Sequence, residues 1–496
     1  MAVKKTIPWL AIASAVLTLL GLSWARADDG KLTMFQGGAY RSDVLLSNGL
    51  LFGVGSKTSS LGGTCTGLEY GAENLYWNPA RLGFLPHSQA MLDITPPLPA
   101  LNANALMDLN QEAAEQVDDL IAKMGGDDLV FRHDDYPQIE AAVSQKGWVH
   151  NGAIALPLRG WGIGLGFYQP LDMELNMVGT GLQARASDQG DVNPQNHVIL
   201  SASADLSFLL DIEVNAISFG VGKELLPRWS LGLGIDRYYG YSSTNGRLQL
   251  EGIILQAVRE TAFNDPSDPW PNQLHSEMVG SYHGAAWGVK LGTSYRLRPN
   301  VSLDAIVILP TTLRLGGQMD ITQYSMPVGI DLDSENPVDA DMVDPYEPTR
   351  TELEDNPTAN QISIHIPGAL KLGAAWRVKF LTAILQYGHY FGDFSCLYGI
   401  ENMETPVEYT LGMKPDDALP LAMDFKLVRL SAGLVLGRAL YRRDPQKEDN
   451  GSEEQKLLVP TLSLGTGFGL GERYGLDLLL ISIPTGLMRV TTTCNF

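Results

Sequence analysis

The sequence predicts an all-β fold, a transmembrane antiparallel β-barrel of the bacterial outer-membrane type. Three observations predict it: an export signal at the start of the chain, segments in which apolar residues alternate with polar or small ones, and a last strand that ends in Phe496. Side chains alternate between the two faces of a strand. An apolar face toward lipid and a polar face toward the lumen is therefore the pattern expected of a barrel that crosses a membrane.

Residues 1–27 have the pattern of a cleaved secretory signal. Lys4 and Lys5 precede an apolar run over 7–25, and Ala25-Arg26-Ala27 has the small-x-small form of a cleavage site. The apolar run is also long enough to act as an uncleaved anchor, but the cleavage site favours removal. No later stretch has the roughly 18 uncharged apolar residues that a spanning helix needs. We therefore expect a periplasmic protein, a secreted protein or an outer-membrane barrel.

Composition and motifs exclude several function classes. The chain has 35 basic and 56 acidic residues and a formal net charge of −21, so nucleic acid is not an expected partner. It has no Gly-x-Ser-x-Gly elbow, Walker loop or His-Glu-x-x-His helix, so we expect neither an enzyme nor a cofactor. The three cysteines, Cys65, Cys396 and Cys494, are too widely spaced for a metal site, and we expect free thiols and no bound metal.

Alternation is clearest in the segments 229–235, 287–297 and 370–378. In each of them one face is mostly apolar, and the other holds small residues, with lysine and arginine in the last two segments. A soluble β-sandwich also alternates. The export signal, the small residues on the second face and the terminal aromatic residue together favour the barrel.

Strand counting gives 12 firm segments, or 14 if the region 396–425 holds one further hairpin. Two insertions between strands have the apolar spacing of helices, at steps of three and four residues, over 104–124 and 247–263. Asp265-Pro266 ends the second one. With the first strand running outward near 87–96, both helices are expected in extracellular loops.

The segment 61–81 carries the most distinctive motif. Leu61-Gly62-Gly63-Thr64 is followed by Gly71-Ala72-Glu73-Asn74 and then by Asn78-Pro79-Ala80. This order resembles the N-terminal hatch of the FadL/TodX family of outer-membrane transporters of hydrophobic compounds. The resemblance implies a barrel of 14 strands whose lumen is filled from the periplasmic side by the hatch. It also implies passive uptake of long-chain fatty acids or other hydrophobic compounds.

On this resemblance the chain divides into three parts. We expect a signal peptide over 1–27, a hatch over 28–85 and the transmembrane barrel over 86–496. The location that follows is the bacterial outer membrane.

Candidate ligand-binding or gate residues come from two segments. Tyr76 and Trp77 are expected to line an apolar pocket beside the hatch. Asn78 and Pro79 form either a structural corner or the support of a gate, because proline fixes the backbone and confines the residue before it. In FadL-like proteins a helical loop shapes the outer groove, so the helix predicted over 247–263 either captures ligand or packs on the rim. Its candidate residues are Ile253, Ile254, Ala257 and Val258.

The resemblance implies fatty acids or hydrocarbons as small-molecule partners and outer-membrane lipid as the surroundings. The wider group includes PorV-like barrels, which bind exported proteins as accessories of secretion or surface display. That function is the alternative. A continuous apolar path from the mouth to the hatch supports transport, and a tightly plugged lumen supports the accessory function.

Several charged residues share the lumen face by their alternation. They either steer a ligand carboxylate or pair with carboxylates of the wall or hatch, and pairing is favoured because a buried charge needs a partner. The basic residues are Lys290, Arg296, Lys371, Arg377 and Arg489, and the acidic candidates are Glu69, Glu73, Asp236, Asp304 and Asp477. The same alternation points Cys494 toward lipid, so a disulfide with Cys65 is not expected.

Overall fold

In the computed structural model, 24 strands of the described chain form one hydrogen-bonded sheet. The structure describes residues 30–36, 39–47, 53–67, 70–96, 98–102, 138–145, 147–188, 198–256, 259–262, 274–324, 349–352, 361–378, 381–391, 394–398, 409–413, 421–425, 430–440, 456–470, 473–482 and 488–496. Within these ranges, no helix has the length and apolar character required to cross a membrane. The helix predicted over 104–124 lies outside the described residues.

The strands are numbered in chain order. The first twelve are β1 (Gly30–Gln36), β2 (Ala39–Ser47), β3 (Gln89–Thr95), β4 (Leu98–Asn102), β5 (Gln138–Gln145), β6 (Trp148–Leu158), β7 (Trp161–Asp188), β8 (Val198–Leu226), β9 (Trp229–Gln256), β10 (Arg259–Ala262), β11 (Leu274–Arg298) and β12 (Val301–Ile308). The others are β13 (Thr311–Tyr324), β14 (Thr349–Glu352), β15 (Gln361–Ile366), β16 (Gly368–Val378), β17 (Leu381–Phe391), β18 (Phe394–Tyr398), β19 (Tyr409–Met413), β20 (Leu421–Phe425), β21 (Leu430–Leu440), β22 (Lys456–Leu470), β23 (Tyr474–Ser482) and β24 (Met488–Asn495).

The antiparallel pairings define a barrel of 14 strands. Neighbours follow the order β3, β6, β7, β8, β9 and β11. Four barrel strands are each made of two short strands end to end: β12 with β13, β15 with β16, β17 with β18, and β19 with β20. The series ends with β21 to β24, and β24 pairs with β3. The region 396–425 holds the additional hairpin, which confirms 14 rather than 12 strands.

The two ends of the barrel differ in their connections. Short turns join β6 to β7, β8 to β9 and β11 to β12, whereas the opposite ends lead into long connections. Bacterial barrels place short turns at the periplasmic side and long loops outside. We call the short-turn end the inner end and the other the outer end.

Near the inner end the two faces of the wall follow the predicted alternation. On β11, Trp287 is 63% exposed and lies on the outside, whereas Lys290 is 3% exposed and points into the lumen. On β24, Arg489 is buried, and Phe496, the residue after the strand, is exposed. Outward aromatic residues Trp229 and Tyr239 lie ten positions apart on β9, about 33 Å along the strand, which at a 40° tilt spans about 25 Å. This height matches the apolar band of a transmembrane barrel.

The strands β7, β8, β9 and β11 are far longer than a membrane crossing. They contain 28, 29, 28 and 25 residues, where about 9–11 suffice for a tilted strand. We call the part of the wall beyond Tyr239 the outer extension. It is made of 171–188, 198–214, 240–256, 274–284, 311–324 and 361–366.

In the outer extension the two faces exchange character. Its outer surface is mainly polar, with an ion pair between Arg247 and Glu277 at 3.8 Å across β9 and β11. Its inner surface is apolar and buried, as Phe208 and Leu313 illustrate. The sequence pattern indicates a lumen that is polar along its whole length. In the outer extension the lumen is apolar instead, because this section stands in water rather than in lipid.

The prediction of a helix over 247–263 is wrong. Residues 247–256 belong to β9, and β10, residues 259–262, pairs antiparallel with the end of β9. β9 also pairs with β8 on one side and with β11 on the other, and these ladders outweigh the local helical spacing. Ile253 and Ile254 are consecutive residues of β9. They cannot form one apolar helix face, and Ala257 and Val258 lie outside the described residues.

The segment 28–85, which the sequence analysis assigns to the hatch, is divided between the wall and the lumen. We keep the name hatch for the part inside the lumen, residues 53–85. β1 and β2 join the wall: β2 pairs antiparallel with β7 over Asp172–Thr180 and parallel with β5. They occupy the edge of β7 beyond the point where its pairing with β6 stops at Tyr168. From Gly53 onward the chain lies inside the lumen at the inner end, where it forms α1 (Ser56–Ser60), α2 (Asn74–Trp77) and a 3₁₀ helix (Pro79–Phe84).

Glycines of the wall allow the 3₁₀ helix to lie directly on the sheet. A Cβ atom at Gly162 would collide with the carbonyl of Leu82, and one at Gly232 would collide with the backbone of Pro79 and Ala80. These positions belong to the small-residue lumen face that the sequence predicts. Backbone contact at this range is possible only without side chains.

Replacing Gly232 with alanine should loosen the hatch. We expect the variant to lose about 1–3 kcal/mol of stability, because an inserted methyl group forces the backbone of a packed region to shift. Thermal unfolding followed by the gel mobility of folded and unfolded barrel would measure the loss. Gly316→Ala is the matched control, since a Cβ atom at that position would meet nothing within 4 Å. Equal unfolding temperatures for the two variants would contradict this docking.

Candidate functional site

The Asn78-Pro79 motif forms a corner between two short helices of the hatch. Asn78 is fully buried and extended, and its side-chain oxygen accepts a hydrogen bond from the Ala80 amide at 3.1 Å. Its side-chain nitrogen donates to the carbonyls of Cys65 at 3.5 Å and Thr293 at 3.3 Å. The corner thus ties two parts of the hatch to strand β11.

Arg81, three residues after Asn78, anchors the hatch to the wall with a buried charge. Its guanidinium lies 3.3 Å from the carboxylate of Asp304 on β12. It also donates to Asn74 Oδ1 at 2.7 Å and to the Gly67 carbonyl at 2.8 Å. Asp304 additionally accepts hydrogen bonds from Thr66 of the hatch and from Ser302. Asp304 therefore pairs with a cation of the hatch. Alternation along the barrel strands identifies Asp304 as a lumen residue but cannot identify Arg81 as its partner.

A second buried ion pair holds the beginning of the hatch. Arg489 lies 3.9 Å from Asp93, and both side chains are buried. Arg489 donates to the carbonyl of Gly53, and Asp93 accepts from the amide of Gly55 at 2.8 Å. Two wall strands, β3 and β24, therefore meet the hatch through one charged pair.

The third buried pair sits where the hatch meets the apolar part of the lumen. Lys290 Nζ lies 3.0 Å from the carboxylate of Asp236, as the pairing hypothesis proposed. The same ammonium is 3.4 Å from the carbonyl oxygens of Leu75 and Tyr76. It lies 5.2 Å from the ring centre of Tyr76 and 5.4 Å from that of Tyr168, within the range of cation–π attraction.

The other basic lumen residues also have contacts. Arg296 lies on the rings of Tyr70 and Phe84, at 4.5 and 3.7 Å from their centres. Lys371 is 5.5 Å from the ring centre of Trp77. With Lys290 and Arg489 paired as described, these contacts favour internal partners over a free cation that would bind a ligand carboxylate.

Tyr76 and Trp77 have different surroundings although they are neighbours. The Trp77 ring packs over Gly53 and Gly63, both at positive φ, and its indole nitrogen donates to the Val54 carbonyl at 2.7 Å. Trp77 is therefore part of the interior of the hatch. Tyr76 is only partly buried and packs against the apolar side chains of the lumen.

Tyr76 belongs to a group of three tyrosines beside the Lys290–Asp236 pair. Its ring meets that of Tyr168 edge-on with centres 4.9 Å apart, and the hydroxyls of Tyr168 and Tyr238 are 3.4 Å apart. Burial and the nearby Asp236 raise the pKa of the Tyr76 hydroxyl above its ordinary value. The Tyr76 hydroxyl therefore stays neutral. The three tyrosines form a rim between the charged hatch contacts and the apolar lumen.

Beyond the tyrosines the inner surface of the outer extension is lined by apolar side chains. Sequence reasoning missed this lining because it assigned strands only the length of a membrane crossing. The buried members include Leu175, Met177, Leu206, Phe208, Ile212, Leu248, Met278, Leu313, Leu315, Met319, Ile362, Ile364 and Ile366.

The predicted site residues are thus brought together only in part. Tyr76, Trp77, Asn78 and Pro79 lie in one compact region of the hatch. Ile253 and Ile254 lie near the outer end of β9 and do not join this region.

Metal ligation and thiol reactivity can be assessed in the described part of the chain. No group of three or more His, Cys, Asp or Glu side chains there could hold a metal ion. Cys65 and Cys494 are free thiols. Burial raises the pKa of the Cys65 thiol to about 12, so it remains protonated and is a poor nucleophile.

Replacing Arg81 alone should reduce the stability of the folded protein more than replacing both members of its ion pair. In Arg81→Met, Asp304 keeps a buried charge without its cation, and we expect a loss of about 3–5 kcal/mol. In the double variant Arg81→Met with Asp304→Asn the charge is gone, and part of the stability should return. Thermal unfolding of the single and double variants measures both effects. A double variant that is less stable than Arg81→Met would show that the ion pair does not set the cost.

Comparisons with known proteins found matches among solved structures. No family model and no curated protein matches the sequence. Among solved structures, the chain is similar to the Pseudomonas putida toluene transporter TodX, with 15% identity, 90% of this chain and 99% of that one covered, and a TM-score of 0.47. A Pseudomonas aeruginosa FadL homologue has 10% identity, 94% and 100% coverage and a TM-score of 0.46. The Ralstonia pickettii toluene transporter TbuX has 13% identity, 90% and 99% coverage and a TM-score of 0.41. At these scores, the conclusions about this chain depend on its own geometry.

Proposed function

We propose that the protein conducts hydrophobic compounds passively across the bacterial outer membrane. The observation that carries the proposal is the reversed outer extension, which is polar toward water and apolar toward its lumen. An apolar lumen at that place gives a hydrophobic molecule a surface on which it leaves water before it reaches the membrane. It is no enzyme in this proposal, and no cofactor takes part.

The path begins at the outer extension and ends at the tyrosine rim. A compound would move along the apolar lining toward Tyr76, Tyr168 and Tyr238, where the Lys290–Asp236 pair and the hatch block further passage. Rearrangement of the hatch, or an opening in the wall, would then release it. Tyr76 is a hatch side chain that packs against the apolar cluster to which this lining belongs, and it is the gate residue of the proposal. Asn78 and Pro79 hold the corner behind it.

Both long-chain fatty acids and hydrocarbons fit an apolar path by their alkyl or aromatic bodies. The alternative function, a protein-binding accessory of secretion or surface display, needs a plugged lumen but no apolar lining. The lining beyond the hatch is buried within the lumen and therefore favours a small-molecule cargo over an exported protein.

The test is uptake by cells that lack their own outer-membrane transporter of hydrophobic compounds. Labelled long-chain fatty acid and labelled toluene would be supplied separately, with surface expression measured in parallel. Restored uptake of either compound supports the channel and identifies its cargo. Correct insertion without uptake of either would overturn the proposal, and a pull-down of exported proteins would then test the accessory function.

A polar side chain in the lining should block transport without affecting the outer surface. Phe208→Asn places an amide in the apolar lumen, whereas Leu209→Asn places it on the outside of the same strand. We expect at least a tenfold lower uptake for Phe208→Asn, because the cargo loses apolar contact and must displace a hydrated group. Leu209→Asn should transport normally. Equal uptake by both variants at equal surface levels would exclude this lumen as the path.

A further inference from the structure

Two hydroxyl groups interrupt the apolar lining of the outer extension. Ser242 and Thr244 lie two residues apart on the inner face of β9 and are 0% and 2% exposed. Within the described residues their side-chain oxygens have no hydrogen-bond partner, unlike most buried hydroxyls in proteins. A buried hydroxyl without a partner is unfavourable, so two of them on one wall of the proposed path indicate a position where a partner arrives.

The surroundings of the two hydroxyls are apolar on both adjoining strands. Ser242 is flanked by Ile212 on β8 and by Tyr282 on β11, and Thr244 by Leu210 and Gly280. Gly280 has no side chain, and the Tyr282 ring extends over it toward Thr244. The Tyr282 hydroxyl therefore lies on the same part of the wall.

On β8, β9, β11, β13 and β15, no inward position of this layer carries a charge. The inward positions of five neighbouring wall strands hold Leu206, Phe208, Leu210, Ile212 and Val214 on β8, Gly240, Ser242, Thr244, Gly246 and Leu248 on β9, Met278, Gly280, Tyr282 and Gly284 on β11, Leu313, Leu315, Gly317 and Met319 on β13, and Ile362, Ile364 and Ile366 on β15. A carboxylate there would lose its hydration and meet no cation among these residues, whereas a neutral group would lose much less.

We propose that Ser242 and Thr244 form a subsite for a neutral polar group on an otherwise hydrophobic compound. The compounds that fit are phenols and alcohols, whose single hydroxyl donates to one side chain and accepts from the other while the ring or chain lies on the leucine and isoleucine lining. This assignment rests on the proposed function and specifies its cargo. It distinguishes neutral hydroxyl-bearing compounds both from pure hydrocarbons and from ionised acids.

The experiment compares three probes with the same ring: p-xylene, p-cresol and 4-methylbenzoate. Binding to the purified full-length protein in detergent is measured at neutral pH for wild type, Ser242→Ala and Thr244→Val. Wild type should bind p-cresol more tightly than p-xylene and bind 4-methylbenzoate most weakly. Each variant should bind p-cresol about 5-fold more weakly, the effect of one lost hydrogen bond, with p-xylene affinity unchanged.

Ser243→Ala is the matched control, because Ser243 is adjacent in sequence but lies on the outer face of β9. It should leave all three affinities unchanged. Folding of each variant is verified by the shift in gel mobility on heating.

The outcomes separate this inference from the function on which it rests. If cells take up neither long-chain fatty acid nor toluene, the proposed function fails. If the protein transports fatty acid but wild type binds neither p-xylene nor p-cresol, the hydroxyl subsite alone is overturned. If wild type binds p-xylene but shows no preference for p-cresol, or if the variants weaken both probes equally, the hydroxyl subsite is overturned and the channel stands. Tightest binding of 4-methylbenzoate would also overturn the subsite, and it would direct attention to Lys290.

Discussion

The hatch remains in the lumen because buried charges on the wall depend on it. Asp304 has its cation, Arg81, on the hatch, and the Arg489–Asp93 and Lys290–Asp236 pairs complete their hydrogen bonds with hatch carbonyls or amides. Removing one partner of a buried pair costs about 3–5 kcal/mol, so a hatch that left the lumen entirely would leave Asp304 without its cation and the other two pairs without their hatch hydrogen bonds. Movement on ligand binding is therefore expected to be local, at the apolar edge of the hatch, rather than an ejection of the whole segment.

The same strands of the wall pass through two environments, lipid near the inner end and water in the outer extension. Between Trp229 and Tyr239 the outside is lipid, so the apolar side chains face outward and the lumen is filled by the hatch. Beyond Tyr239 the outside is water, so the polar side chains face outward and the apolar ones face inward. Away from the register shifts of β7, between Tyr168 and Leu171 and between Gly179 and Leu182, the alternation itself does not change, because consecutive residues of a regular strand point to opposite faces. Only the assignment of polar and apolar residues to the two faces is exchanged, and this exchange creates an apolar lumen directly above the hatch.

The sequence predicts the transmembrane part of this fold well and the outer extension poorly. Alternation identifies the faces of 287–297 because lipid and lumen impose opposite requirements on neighbouring residues. It cannot identify 247–263 as strand, since apolar residues there happen to recur at steps of three and four, and the ladders with β8 and β11 that decide the matter join residues distant in sequence. The same limit applies to the site. Asn78-Pro79 is recognisable as a local motif, whereas the Arg81–Asp304 pair joins residues 223 positions apart.

A passive channel of the kind proposed must bind its cargo weakly enough to release it. Binding energy would come from apolar contact, which is spread over many side chains and changes gradually as a compound moves. A single hydrogen bond to Ser242 or Thr244 would add only about 1 kcal/mol, enough for preference among similar compounds but not enough to trap one. A buried cation at the same level would hold an acid far more strongly and slow its release. The structure instead keeps Lys290 below the tyrosine rim and paired with Asp236, so the charge serves the hatch while the lumen above it remains neutral.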